Sequence, residues 1–199
     1  MIKFLKKIYH ATRYMYNYIF CFHKFGHVGI GTTINNPLRI GGGKYIFIGN
    51  SCFILDGLRI EAISKWKDKK YEPKIDIEDS VTVGQNCHFT CANRLYIGKG
   101  VSILPQVLIT DIEHEYISDK SLRETGLEVG SVEIGENAVI GMGARILGHK
   151  NIRIGKSAVI GTNAVVTHDV PDYTIVAGIP AKVIGKVNCE KEPNSSCDK

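Results

Sequence analysis

The chain has 199 residues, enough for one well-buried domain and with nothing in its composition that demands a second. Its formal charge of +5 excludes a strongly basic nucleic-acid binder, because that excess equals the five cations Lys3, Lys6, Lys7, Arg13 and Lys24 in residues 1–27, which contain no carboxylate. The 6 cysteines form no CxxC pair and no disulfide framework, and Cys52 and Cys87 read as reduced packing residues of a cytosolic protein.

Residues 1–27 space Ile2, Leu5, Ile8, Tyr9, Met15, Tyr16, Ile19 and Phe20 along one helical face. The longest run without charge, Tyr14 to Phe22, is nine residues, against about 20 needed to cross a bilayer. The segment predicts an amphipathic basic helix and no transmembrane span. Two readings stand for it: a helix that caps the following domain, or a peripheral contact with anionic lipid at the inner membrane face. His23 and His27 have i,i+4 metal-ligand spacing, but Gly26 between them and the lack of a third ligand argue against a metal site.

From Ile40 a six-residue beat sets in. It runs Ile40, then Ile48, Ile54 and Ile60, then Ile77, Val83 and Phe89, then Ile97, Ile103 and Ile109. It is plainest as IGENAV from Ile134, IGMGAR from Ile140, IGKSAV from Ile154 and IGTNAV from Ile160, and closes at Val166. A repeat this short predicts a parallel β-helix in which each unit is one short strand and one corner, three units close a triangular coil, and the aliphatic residue stacks inward on its equivalent one coil away. The Gly after the aliphatic residue is expected to ease a sharp turn. Cys52 and Cys87 occupy the small-residue position of their units. The phase slips by two residues after Ile40, Phe89 and Ile146, as repeated bulged corners would produce.

Two larger interruptions carry the candidate chemistry, since function sits on loops that leave a rigid scaffold. Residues 61–74 hold Trp66 among Lys65, Lys67, Lys69 and Lys70. The second interruption, TDIEHEYISDKSLRETGLEVGS, opens with His114, three residues after Asp111 and beside Glu113, Glu115 and Tyr116. An imidazole near carboxylates at the mouth of an insertion is the best general base in the chain. His88 and His149 fall on outward or widened parts of the repeat, where solvent exposure is the default. His10 lies in the basic segment. The last residues, 188–199, are polar and unpatterned and predict a frayed tail.

Three stretches, ITDIEHEY, IGENAVIGMGARIL and IGKSAVIGTNAVVTHDVPDYTIVAGIPAKVI, make residues 28–187 resemble the hexapeptide-repeat acyltransferases with a left-handed β-helix, in the maltose, galactoside and polysaccharide O-acetyltransferase branch. The fold expected is therefore all-β: a left-handed parallel β-helix with an N-terminal helical segment and projecting loops. The resemblance implies a homotrimer with sites between subunits, acetyl-CoA as co-substrate, no metal, and a sugar acceptor. It maps the catalytic base onto His114 and its companion onto Asp111. It maps coenzyme contacts onto Met142, Gly143, Ala144, Thr162, Thr167, His168 and Lys182, with Lys186 close behind. Asn93 and Asn86 are expected as acceptor ligands, and His88, one coil before His114, is placed to face the same cleft. Val139 and His168 depart from the residues usual at their positions, which weakens side-chain carry-over to the coenzyme.

The acceptor stays open among a surface-polysaccharide sugar, an antibiotic hydroxyl, a nucleotide-sugar amine and serine; the basic N-terminus favours the first. Two other classes compete: a γ-type carbonic anhydrase, for which His88, His114 and His149 lack the required paired spacing, and a non-catalytic scaffold, which needs neither DIEHEY nor AGIPAKVI. The location expected is cytoplasmic, with peripheral membrane attachment as the variant.

Overall fold

The computed structural model describes Ala11, Thr12, Met15, Ile19 and residues 21–188. Most of the predicted N-terminal helix and the tail from residue 189 lie outside the described residues; Ala11, Thr12, Met15 and Ile19 are helical. Among the described residues no helix is long and apolar enough to cross a membrane.

The inward beat folds as three sheets of six, eight and six strands that form the faces of a β-helix, parallel throughout except for the last strand of the eight. Successive coils span 27–41, 46–62, 74–91, 94–110, 131–147 and 152–166. The first face stacks Val28, Ile48, Ile77, Ile97, Ile134 and Ile154 in register. The second stacks Ile34, Ile54, Val83, Ile103, Ile140, Ile160 and Val176. The third stacks Ile40, Ile60, Phe89, Ile109, Ile146 and Val166. All of these are buried except Val28 and Ile40 of the first coil, which are partly buried against the core. Each full burial contributes about 1.5–3 kcal/mol, which makes these columns the main stabilising feature of the chain.

The turn chemistry differs in one respect from the sequence expectation. The Gly that follows each aliphatic residue is required by crowding: a Cβ at Gly141 would lie 2.6 Å from the Ile160 carbonyl oxygen, and one at Gly135 2.6 Å from the Lys156 nitrogen. The sharp reversal occurs two residues later, where Asn137, Gly143, Ser157 and Asn163 have φ of 55°, 70°, 51° and 57°. Asn and Gly adopt this left-handed region at low cost. The Ala that follows is fully buried at positions 138, 144, 158 and 164, which lets the corner close onto the core.

The two-residue slips have a common cause. Strands of the first face carry a second inward residue two positions before the column, namely Ile46, Ile75, Leu95, Val132 and Ile152, all buried. The slips therefore recur at one corner, where the third face turns into the first. Both large interruptions leave from that same corner, on the second and fourth coils.

The ends are closed differently. Cys21 and Phe25 are buried and Phe22 packs against the core, so residues 21–25 cover the first coil. At the other end strand Thr174–Ala177 joins the second face, and Lys182–Lys186 pairs with it antiparallel through a turn containing Gly178 (φ 97°) and the cis Ile179–Pro180 bond. The AGIPAKVI stretch is that turn and closing strand.

Candidate active site

Both interruptions fold as hairpins. Lys65–Trp66 pairs with Lys69–Lys70, and Ile112–His114 pairs with Leu127–Val129, so that His114 sits opposite Leu127. They leave the second and fourth coils and meet over the third. Trp66 Nε1 donates to the Thr125 carbonyl at 3.1 Å, Lys67 Nζ donates to the Glu124 carbonyl at 2.6 Å, and the Trp66 and His114 rings meet edge to face with centroids 5.2 Å apart.

Beneath this contact is an open cleft of about 230 Å³. Its floor is four outward side chains of the third face, His88, Thr90, Leu108 and Thr110; its walls are Ile63 and Trp66 from one hairpin and Ile112, His114 and Leu127 from the other. His114 Nδ1 is buried and has no hydrogen-bond partner among the described residues. His88 Nε2 lies 2.9 Å from Thr90 Oγ1, and burial together with the nearby Arg59 guanidinium holds its pKa below the ordinary histidine value.

Asp111 does not pair with His114. Its carboxylate is fully buried and accepts the backbone N–H groups of Ala92 (2.8 Å), Asn93 (2.8 Å) and Arg94 (3.0 Å), with the Cys91 thiol at 3.3 Å. Burial raises its pKa, and the backbone N–H donors pull the other way. The Asp111 carbonyl also accepts the Gly130 N–H at 2.8 Å, which closes the base of the insertion. Asp111 thus ties the hairpin that carries His114 to the corner of the coil below. Asn93 belongs to the same anchor: its side-chain amide donates to the Gly130 carbonyl at 2.8 Å and it does not line the cleft. Asn86 is exposed at the opposite edge of the third face, where the second face turns into the third.

The expected coenzyme residues are not gathered by a single chain. Met142, Gly143 and Thr162 lie on one edge of the third face, on the fifth and sixth coils; Thr167 and His168, bonded to each other at 2.9 Å, lie on the other edge; exposed Lys182 opens the closing strand. Ala144 has its methyl in the core, its N–H bonded to the Gly141 carbonyl at 3.1 Å and its carbonyl accepting the Leu108 N–H at 3.0 Å. No three His, Cys, Asp or Glu side chains converge as a metal-ligand set among the described residues. The cleft residues that sequence reasoning left without a role include Trp66 and Thr90; Glu61, beside His88 on the third face, was also left without one. The one available signal was that the only tryptophan of the chain stands in an interruption of the repeat.

Comparison with known proteins agrees with this architecture. The chain is 30% identical over 142 residues to the Escherichia coli K12 protein named as the lipopolysaccharide biosynthesis O-acetyl transferase WbbJ, an alignment covering 67% of this chain and 68% of that one. The chain belongs to the hexapeptide-repeat acyltransferases. A maltose O-acetyltransferase from Clostridium difficile 630 superposes on this acyltransferase with a TM-score of 0.55 at 29% identity, over 83% of this chain and 72% of that one, and the family fold is the left-handed β-helix. Serine acetyltransferase of Haemophilus influenzae is 34% identical over 119 residues, which is 59% of this chain and 41% of that one. The chain spans about half the length of the first curated relatives it matches, 49% and 41%. No family model matches it.

Proposed function

We propose that this acyltransferase is an acetyl-CoA-dependent O-acetyltransferase that acetylates a sugar hydroxyl of a surface polysaccharide or its precursor, and that it works as a homotrimer. The observation that supports the reading is the position of His114: its ring stands in the cleft wall, and its buried Nδ1 has no hydrogen-bond partner among the described residues. In this mechanism the neutral imidazole takes the proton of the acceptor hydroxyl, the oxygen attacks the thioester carbonyl, and the C–S bond breaks as the tetrahedral species collapses. Protonated His114 then returns the proton to the thiolate, and no covalent enzyme intermediate forms.

The remaining residues hold the ring in place. Trp66 packs against the imidazole and, through Thr125, fixes the far side of the hairpin; Asp111 anchors its base. Such support supplies the orientation on which general-base catalysis depends. The sugar acceptor is supported by the relatives named for lipopolysaccharide and maltose acetylation. Trimer formation would bring one chain's coenzyme residues to a neighbour's edge.

The test is calorimetric titration of acetyl-CoA into wild type and His114→Ala, followed by CoA release with a panel of sugars. Both proteins should bind acetyl-CoA, while turnover in His114→Ala should fall by roughly 10²–10⁴. A folded wild type that does not bind acetyl-CoA would remove the reading.

A further inference from the structure

A β-helix orders its sites along one axis. The cleft lies over the third and fourth coils, and the candidate coenzyme residues lie on the fifth, the sixth and the closing strand. The free direction along the third face runs toward the first and second coils. There Arg39 and Arg59 stand in register on neighbouring strands, and Arg59 is in register with His88 of the cleft floor.

Both guanidiniums donate through Nε to the Glu61 carboxylate, Arg39 at 2.6 Å. The Glu61 side chain is 13% exposed, against 65% for Arg39 and 45% for Arg59. Its carboxyl stays ionised: burial pushes its pKa up, but Arg59 and then Arg39 hold it below the usual value. The arrangement is lopsided. Like charges directly opposite on adjacent strands repel, at a strand spacing of about 4.8 Å, and one carboxylate balances only one of the two cations. Because each bond to Glu61 uses Nε, the paired Nη groups of both side chains are left over among the described residues. Those forks are the donors that grip a carboxylate or phosphate in bidentate fashion. As surface ion pairs alone these contacts would contribute little to stability.

Resting on the acetyl-transfer reading above, we infer that the acceptor sugar carries an anionic group, a carboxylate or a phosphate, which Arg39 and Arg59 hold while a hydroxyl of the same sugar reaches His114. Glu61 is the positioning residue that fixes both guanidiniums. The anion site lies about 5–10 Å along the axis from the cleft, one to two strand spacings. That interval is on the scale of one monosaccharide.

Trp66 is the sole tryptophan of the chain and forms a wall of the cleft, so its fluorescence reports occupancy directly. Glucose, galactose and mannose are titrated beside their uronates and 6-phosphates into wild type, Arg39→Gln/Arg59→Gln and Arg39→Lys/Arg59→Lys. Acidic sugars should bind wild type at least about tenfold more tightly than the neutral ones, and the Gln pair should erase that preference without weakening the neutral sugars. The Lys pair keeps the charge and loses the fork, and should retain part of the preference. Comparison of uronate with phosphate identifies which anion is taken. Equal binding of acidic and neutral sugars, a preference that survives in both variant pairs, or no binding of any acidic sugar by folded wild type overturns the proposal. Acetyl-CoA calorimetry on the same samples separates the two ideas. Loss of coenzyme binding with the acid preference intact removes the transfer reaction and leaves the anion site, and the reverse pattern removes the anion site alone.

Discussion

On the third face, Glu61 takes N–H bonds from two guanidiniums and lies 3.8 Å from His88. Against its burial, the arginines hold its folded pKa below the ordinary carboxylate value, so it contributes stability that is present above the unfolded carboxylate range and lost as pH falls through the folded value. His88 acts in the same direction nearer neutrality. Burial and Arg59 disfavour its protonated form in the fold, so stability falls once pH drops through the unfolded histidine range of about 6.5. Through these two groups melting temperature should therefore fall on acidification below about pH 6.5, against the opposite contribution of Asp111, whose pKa burial raises, and Glu61→Gln should flatten the carboxylate part of the curve. Parallel curves for wild type and variant would sink this account. Asp111 carries a different lesson at the same scale. Its place three residues before His114 suggests a catalytic pair, yet its carboxylate points at the backbone of the neighbouring coil. Spacing along a chain does not reveal which side of a corner a short side chain takes.

At the scale of the strand and its corner, most of the fold was legible. The inward column repeats every six residues because strand and corner length are set locally, and Ile134, Ile140 and Ile146 need no distant partner to be recognised. The role of the following Gly was not legible, because the obstacle is the backbone of the next coil. Gly141→Ala places a Cβ 2.6 Å from both the Ile160 oxygen and the Thr162 nitrogen, neither of which can swing away. It should cost about 1–3 kcal/mol in denaturant unfolding. Its neighbour Met142, 46% exposed, should tolerate alanine within about 0.5 kcal/mol. If the two substitutions prove equivalent, crowding by the next coil is not what selects the glycine. The pairing of Trp66 with His114 was hidden for a related reason: it depends on two insertions arising from the second and fourth coils and bending over the third, a relation that no local pattern encodes.

For the molecule as a whole, the candidate coenzyme residues stand on both edges of one face and on the closing strand. A lone chain presents them in separate places; a trimer would set one edge against its neighbour. Sedimentation equilibrium should give three chains per particle, and dilution that separates them should abolish turnover while leaving the β-sheet circular dichroism unchanged. A monomer with full turnover would end the shared-site part of the proposal.

Every lengthened connector between coils emerges where the third face turns into the first, while the other two corners keep a constant connector length from coil to coil up to the closing turn after Ala177. The molecule is in effect a prism with two edges under tight geometric control and one that accepts additions. Lengthening or replacing 67–70 or 117–124 alters the roof over the cleft and leaves the hydrophobic columns untouched. A change of the same size at Asn137, Gly143 or Asn163 would throw every later rung out of register. New acceptor specificity is therefore to be sought by rebuilding the permissive edge, with the remaining two held fixed as the frame against which such variants are compared.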